Sequence, residues 1–83
     1  MSVQKILNED WSEYDNRKIR DRRDSKFFAC SEQWEVDYLV RFIKKHYSHH
    51  TEISIRNAIA SCCRLIGSPH PRQSFVECVV SKL

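Results

Sequence analysis

The stretch "EQWEVDYLVRFIKKHY", Glu32 to Tyr47, decides the fold class of this chain. At 100° per residue, most of its apolar side chains fall on one face of a helix, and its charged side chains fall opposite them. That face consists of Val36, Leu39, Val40, Ile43 and Tyr47. A second apolar flank consists of Trp34, Tyr38 and Phe42. We expect so wide an apolar arc to pack against more than one neighbouring element.

Two segments downstream show the same helical periodicity. The first has an apolar stripe of Ile55, Ile59, Cys62 and Ile66, with Ala58 and Leu65 beside it. The second turns inward Phe75, Val76, Val79 and Leu83. Between them, Gly67 favours a helix end and Pro71 favours the first position of a new helix. The chain is therefore predicted to be all-α, with three helices over about 31–47, 54–66 and 70–83.

These helices imply their caps and a shared core. Ser31 is the expected N-cap of the first helix, and Thr51 or Ser54 that of the second, because a hydroxyl can accept from an orphan amide of the first turn. The predicted core consists of Phe28, Val36, Leu39, Ile43, Ile55, Ile59, Cys62, Ile66, Phe75, Val79 and Leu83.

Residues 1–26 form a polar, charge-segregated segment. Acidic residues come first, and a basic run from Arg17 to Lys26 follows, interrupted by Asp21 and Asp24. Apolar side chains recur before that run at near-helical spacing: Val3, Ile6, Leu7, Trp11 and Tyr14. We predict an N-terminal helix or flexible arm here. A helical domain over 27–83 follows, with an extended start at "SKFFACS".

The composition limits the classes of protein to which the chain can belong. Its 83 residues suffice for one small domain, and a single glycine with two prolines favours helices over a many-turned β architecture. The net charge of +3 is mild for a dedicated nucleic-acid binder. No apolar run is long enough to span a bilayer, and the start lacks the apolar segment of a signal peptide. We therefore expect a cytoplasmic protein whose four cysteines are thiols.

The residues "SEQWEVDYL", Ser31 to Leu39, carry a resemblance to a known family. They resemble the start of a short bacterial domain of unknown function, which begins with an acidic–aromatic–Glu–Val–x–Tyr helix. The matching residues are Glu32, Trp34, Glu35, Val36 and Tyr38, preceded by Asp24 and Lys26. The resemblance implies a small bacterial cytoplasmic protein and brings no activity with it.

The stretch "CCRLIGSPHPR", Cys62 to Arg72, has the residue types of a metal or redox site but not the spacing. Adjacent residues of a helix point about 100° apart, so the Cys62 and Cys63 sulfurs do not readily converge on one ion. His70 lies beyond a turn with two prolines. The histidines of "HYSHH" are expected to be a solvated helix end, although a metal chelate or a pH switch is conceivable. We expect no metal, no cofactor and no enzymatic activity.

Two binding functions remain open. The leading hypothesis is a non-catalytic protein-binding module, with a protein partner or a second copy on the flank of Trp34, Tyr38 and Phe42. That flank is free only if the N-terminal segment does not fold back over it. The alternative is a small DNA- or RNA-binding protein with a helix-turn-helix-like arrangement. Its candidate contacts are Arg17, Lys18, Arg20, Arg22, Arg23, Arg56, Asn57 and Arg64.

Overall fold

The computed structural model of the chain describes residues 3–65 and 70–83. Within these ranges the fold is mostly helical, which confirms the all-α prediction and its three central helices. The elements in chain order are α1 (Gln4–Leu7), α2 (Ser12–Arg20), β1 (Phe27–Phe28), α3 (Gln33–His46), α4 (Glu52–Leu65), β2 (His70–Pro71) and α5 (Arg72–Ser81). Helix α3 packs against α4, and α4 packs against α5.

Most of the predicted core residues are buried, but they make up fewer than half of the buried hydrophobic side chains among the described residues. The fully or nearly fully buried members are Phe28, Leu39, Ile43, Ile55, Ile59, Cys62, Phe75 and Val79. Val36 and Leu83 are only partly buried and pack against the edge of this cluster. Leu65, expected beside the stripe of α4, is 64% exposed because it lies in the last turn, past the packed part of the helix. The predictions for Ile66 and Gly67 fall outside the described residues.

The N-terminal segment is helical and folds back over the second flank of α3. The Trp11 ring lies 4.9 Å from the Phe42 ring and 5.7 Å from the Tyr38 ring, measured between centroids. The Tyr38 hydroxyl donates to the Asp10 carbonyl over 3.0 Å. The flank is thus largely covered from within the chain, and Phe42 and Tyr38 are buried. Within the predicted protein-contact flank, Trp34 stays half-buried, while Tyr38 and Phe42 pack under the N-terminal segment.

The helix starts follow the predictions in part. The Ser54 amide donates to the Thr51 hydroxyl over 3.1 Å, so Thr51 is the cap of α4. The prediction for Ser31 is wrong by one residue, because α3 begins after Glu32, which makes no side-chain cap bond. Pro71 is the N-cap of α5 rather than its first helical residue, since residues 70–71 pair in antiparallel fashion with β1.

Helix α2 ends in a Schellman motif with an arginine in the left-handed position. Arg22 has φ of 60°. The Arg22 amide donates to the Ile19 carbonyl over 3.0 Å, and the Arg23 amide donates to the Lys18 carbonyl over 2.7 Å. This pattern satisfies two orphan carbonyls of the helix end, at a position where glycine is the usual residue.

The four cysteines form two disulfides, which corrects the prediction that they are thiols. Cys30 bonds to Cys63 and Cys62 bonds to Cys78, with Cα–Cα distances of 6.2 Å and 6.1 Å. The two cysteines of α4 point in different directions, as their adjacency requires. Each therefore meets a different partner: Cys62 faces α5, and Cys63 faces the connector between β1 and α3. The prediction of thiols rested on the expected compartment, whereas the fold brings the sulfurs into bonding distance in pairs.

In the part of the chain that the structure describes, no helix has both the length and the apolar character needed to cross a bilayer.

Candidate functional site

A surface groove lies between α2 and α3. It is an open groove of about 520 Å³. Its lining consists of Glu13, Asn16, Arg17, Arg20, Trp34, Asp37, Tyr38 and Arg41. We call it the arginine groove. Residues predicted separately for nucleic-acid contact and for protein contact meet here, since α2 supplies Arg17 and Arg20 while α3 supplies Trp34 and Tyr38.

Guanidinium groups lie over the aromatic rings of the arginine groove. The Arg17 guanidinium carbon is 4.3 Å from the centre of the half-buried Trp34 ring. The Arg41 guanidinium carbon is 4.8 Å from the centre of the Tyr38 ring. Both distances are within the range of a cation–π interaction. The rings thus pack against two exposed arginine side chains at the rim of the groove.

The charges of the arginine groove do not cancel locally. In residues 3–65 and 70–83, none of Arg17, Arg20 and Arg41 forms an ion pair with a carboxylate. The Asp37 carboxylate accepts from the Arg56 guanidinium at 2.8 Å. It also accepts from the side-chain amide of Gln33 at 3.0 Å. These two bonds, the one from Arg56 first, lower the pKa of Asp37. Arg56, which lies outside the groove lining, compensates the negative charge of Asp37. Glu13 is therefore the one carboxylate of the described lining left to oppose the charges of Arg17, Arg20 and Arg41.

A buried polar network lies behind the arginine groove, where α2, β1 and α3 meet. One Glu35 carboxylate oxygen accepts from the Tyr14 hydroxyl at 2.5 Å and from the Ala29 amide at 3.0 Å. The Lys18 ammonium donates to both oxygens of Glu35 at 3.0 Å and to the Phe27 carbonyl at 2.8 Å. The ammonium and carboxylate therefore have several partners each, as buried charges require.

This buried network joins elements rather than offering chemistry to a substrate. Glu35 and Tyr14 are 0% exposed and Lys18 is 2% exposed. Burial, followed by the hydrogen bond to Glu35, raises the pKa of Tyr14 well above its ordinary value of 10.0, so its hydroxyl stays a donor. Lys18 was predicted as a nucleic-acid contact, and that prediction is wrong because its ammonium is withdrawn from the surface and fully engaged.

The other predicted nucleic-acid contacts are scattered. Arg23 forms an ion pair with Glu32 at 2.5 Å. Arg56 pairs with Asp37 and with Glu52, which it meets at 3.0 Å one turn away. Arg22 lies at the exposed end of α2, Asn57 lines a separate shallow cleft, and Arg64 is exposed near the end of α4. Of the eight candidates, only Arg17 and Arg20 line the arginine groove.

A second polar cluster joins the turn after α1 to the end of α3. The Glu9 carboxylate meets the His46 ring at 2.5 Å and the Lys45 ammonium at 3.0 Å. The hydrogen bonds from Lys45 and His46, in that order, lower the pKa of Glu9. Within "HYSHH", expected to be a solvated helix end, His49 is exposed, and His46 is the half-buried residue that makes this contact. No trio of His, Cys, Asp or Glu side chains suited to a metal ion occurs among the described residues.

Comparison with protein-family models, with curated proteins and with solved structures finds no match for this chain. The resemblance of its Ser31–Leu39 stretch to a bacterial domain of unknown function stays a prediction.

Proposed function

We propose that this chain is a non-catalytic interaction module that binds an acidic segment of a partner protein in the arginine groove. The observation that carries the proposal is a set of three guanidinium groups that form no ion pair within residues 3–65 and 70–83 and that line one groove with a half-buried tryptophan. A guanidinium offers a planar fork of donors that matches a carboxylate. Arginine and aromatic residues are also the types enriched in the centres of protein interfaces.

The size of the arginine groove favours a short peptide that is recognised through its side chains. A volume of about 520 Å³ accommodates a few side chains of a peptide. Trp34 offers apolar surface for an aliphatic or aromatic anchor, and Arg17, Arg20 and Arg41 surround it with donors. The expected ligand is therefore a peptide in which acidic residues flank one apolar residue.

The charges favour an acidic peptide over a nucleic acid. Three arginines, opposed by Glu13, match the few carboxylates of a short peptide better than a run of phosphates. Lys18 is buried, and Arg23 and Arg56 are held in ion pairs, which leaves a smaller basic footprint than the sequence suggested. A nucleic-acid binder needs a continuous basic surface that neutralises several phosphates. Nucleic-acid binding is the other outcome of the experiment below.

The test is a titration with a fluorescent Glu-Glu-Leu-Glu-Glu peptide, read by anisotropy and by amide chemical shifts. We expect shifts around Trp34 and loss of binding by about tenfold in Arg17→Ala, because a hydrogen bond to a charged group contributes about 1.5–3 kcal/mol. Arg64→Ala, which removes an exposed arginine outside the groove, is the matched control. The proposal fails if the peptide does not bind, or if single-stranded DNA binds in its place with a steep salt dependence.

The bacterial origin and the cytoplasmic location stay predictions. The two disulfides favour an oxidising compartment, since structural disulfides are rare where glutathione keeps thiols reduced. Trapping free thiols with an alkylating agent at the moment of cell lysis decides between the cytoplasm and an oxidising compartment. Four alkylated cysteines would favour the cytoplasm, and none would favour the oxidising compartment.

A further inference from the structure

The two disulfides differ in how their sulfur-bearing residues are buried. Cys62 of the inner disulfide, Cys62–Cys78, is 0% exposed within the core. Both residues of the outer disulfide, Cys30–Cys63, are half-buried at the edge of the core. The outer disulfide is therefore the one whose two sulfur-bearing residues both lie near the surface.

Cys30 also lines a cleft of about 470 Å³, which we call the cysteine cleft. The lining consists of Lys18, Arg23, Asp24, Phe27, Phe28, Ala29, Cys30, Ser31 and His70. His70 is only 8% exposed, and its Nδ1 atom is buried without a hydrogen-bond partner in the described part of the chain. The cysteine cleft thus combines one cysteine of the outer disulfide with room for a small molecule.

We propose that the outer disulfide is a site of thiol–disulfide exchange, at which a small dithiol bound in the cysteine cleft attacks Cys30. The attacking thiolate forms a bond to the Cys30 sulfur, and the Cys30–Cys63 bond breaks. Cys63 leaves as a thiolate and takes a proton from water. The second thiol of the reagent then attacks the reagent's first sulfur, which is bonded to Cys30 in the mixed disulfide, and Cys30 leaves as a thiolate. One dithiol is oxidised to a cyclic disulfide, and one protein disulfide is reduced to two thiols.

The inner disulfide resists the same reaction for a reason of charge. Attack on Cys78, its less buried end, would expel the Cys62 thiolate into the apolar core, where an anion is disfavoured. Attack on Cys30 expels Cys63 at the edge of the core, where water can solvate the thiolate. Because the leaving group governs the exchange rate, the outer bond opens first.

Opening the outer disulfide leaves the connector between β1 and α3 attached by other means. The Ala29 amide still donates to Glu35, and Phe28 still pairs with His70 across the two strands. The inner disulfide still joins α4 to α5. Reduction therefore yields a folded form in which the end of α4 is released from the connector. The outer disulfide acts as a redox-sensitive strap on the fold.

The experiment is stepwise reduction of the native chain with dithiothreitol. Samples are quenched with an alkylating agent over time, and the labelled cysteines are identified by peptide mass mapping. We expect Cys30 and Cys63 to be labelled together, at a rate at least about tenfold above that of Cys62 and Cys78. Circular dichroism of the two-thiol form should retain the helical signal. Labelling of all four cysteines at one rate, or of Cys62 and Cys78 first, overturns the proposal.

A matched pair of variants tests whether the attack passes through the cysteine cleft. Ser31→Asp places a negative charge in the cleft beside Cys30, and Ser81→Asp places one in the last turn of α5, whose Ser81 hydroxyl binds the Cys78 carbonyl at 2.6 Å. An anionic thiolate should react several-fold more slowly with the outer disulfide in Ser31→Asp and at the native rate in Ser81→Asp. Equal outer rates in the two variants would show that Cys30 is not attacked from this cleft. Because neither variant changes the arginine groove, this result is independent of peptide binding.

Discussion

The two faces of α2 place basic residues in opposite environments. One face turns Lys18 into the interior, where its ammonium has a carboxylate and a backbone carbonyl as partners. The other face turns Arg17 and Arg20 to the surface, where neither forms an ion pair within the described residues. The comparison teaches that a basic run has no single role. Position around the helix decides which cations stabilise the fold and which are free to bind a partner.

The largest expected effect comes from Glu35→Gln on the buried side. The substitution leaves the Lys18 ammonium buried without an opposite charge, which should lower the free energy of unfolding by about 3–5 kcal/mol. Glu32→Gln is the control, since it removes a partly exposed partner of Arg23 and should cost less than about 1 kcal/mol. Urea unfolding followed by tryptophan fluorescence measures both. Equal losses in the two variants would show that the buried ion pair of Lys18 contributes no more to stability than the exposed pair of Arg23.

Tyr14→Phe should have the next largest effect. It removes the hydroxyl that donates to Glu35, with an expected loss of about 1–3 kcal/mol. Tyr47→Phe is the matched control, because the buried Tyr47 hydroxyl has no hydrogen-bond partner among the described residues, and its loss should be close to neutral. A larger loss in Tyr47→Phe would contradict this account of the network.

Tyr14 also makes stability depend on alkaline pH. Its pKa is raised in the folded state, so above about pH 10 the unfolded chain releases this proton while the folded chain keeps it. The contribution is therefore fully present below pH 10 and is lost as the pH rises further. Between neutral pH and about pH 11, the native chain should lose more stability than Tyr14→Phe. Parallel pH profiles of the two proteins would show that Tyr14 titrates normally.

A smaller effect, of opposite sign, is expected at the end of α2. Arg22→Gly relieves a left-handed conformation that disfavours residues with a Cβ, and should raise stability by about 0.5–1 kcal/mol. Asn16→Gly, at an exposed position in the middle of the helix, should instead lower stability. Thermal unfolding of the two variants gives shifts in opposite directions if the Schellman motif is correct.

The smallest effect on stability is expected on the groove side. Arg20→Ala should change the free energy of unfolding by no more than about 0.5 kcal/mol, because its side chain is exposed and makes no ion pair in the described structure. The same variant should weaken the acidic peptide measurably in the anisotropy titration. A large loss of stability with unchanged binding would reverse the roles assigned to the two faces.

The helices were predictable because long apolar stripes leave few alternatives. The buried network was missed because Lys18 and Glu35 were grouped with other charges by type. A signal was present: Glu35, Leu39 and Ile43 recur every four residues, and so do Tyr14 and Lys18, which places a charge on the buried face of each helix. The disulfide pairing had no such signal, because four cysteines allow three pairings and only the tertiary fold selects one.

The order of the disulfides along the chain has a consequence for proteolysis. The loops closed by Cys30–Cys63 and Cys62–Cys78 overlap, so every peptide bond between Cys30 and Cys78 lies inside at least one of them. A nick in the connector between α3 and α4 therefore leaves both fragments covalently joined. Once the outer disulfide is reduced, the same nick separates them. A protease thus has no single cut in this span that divides the oxidised chain.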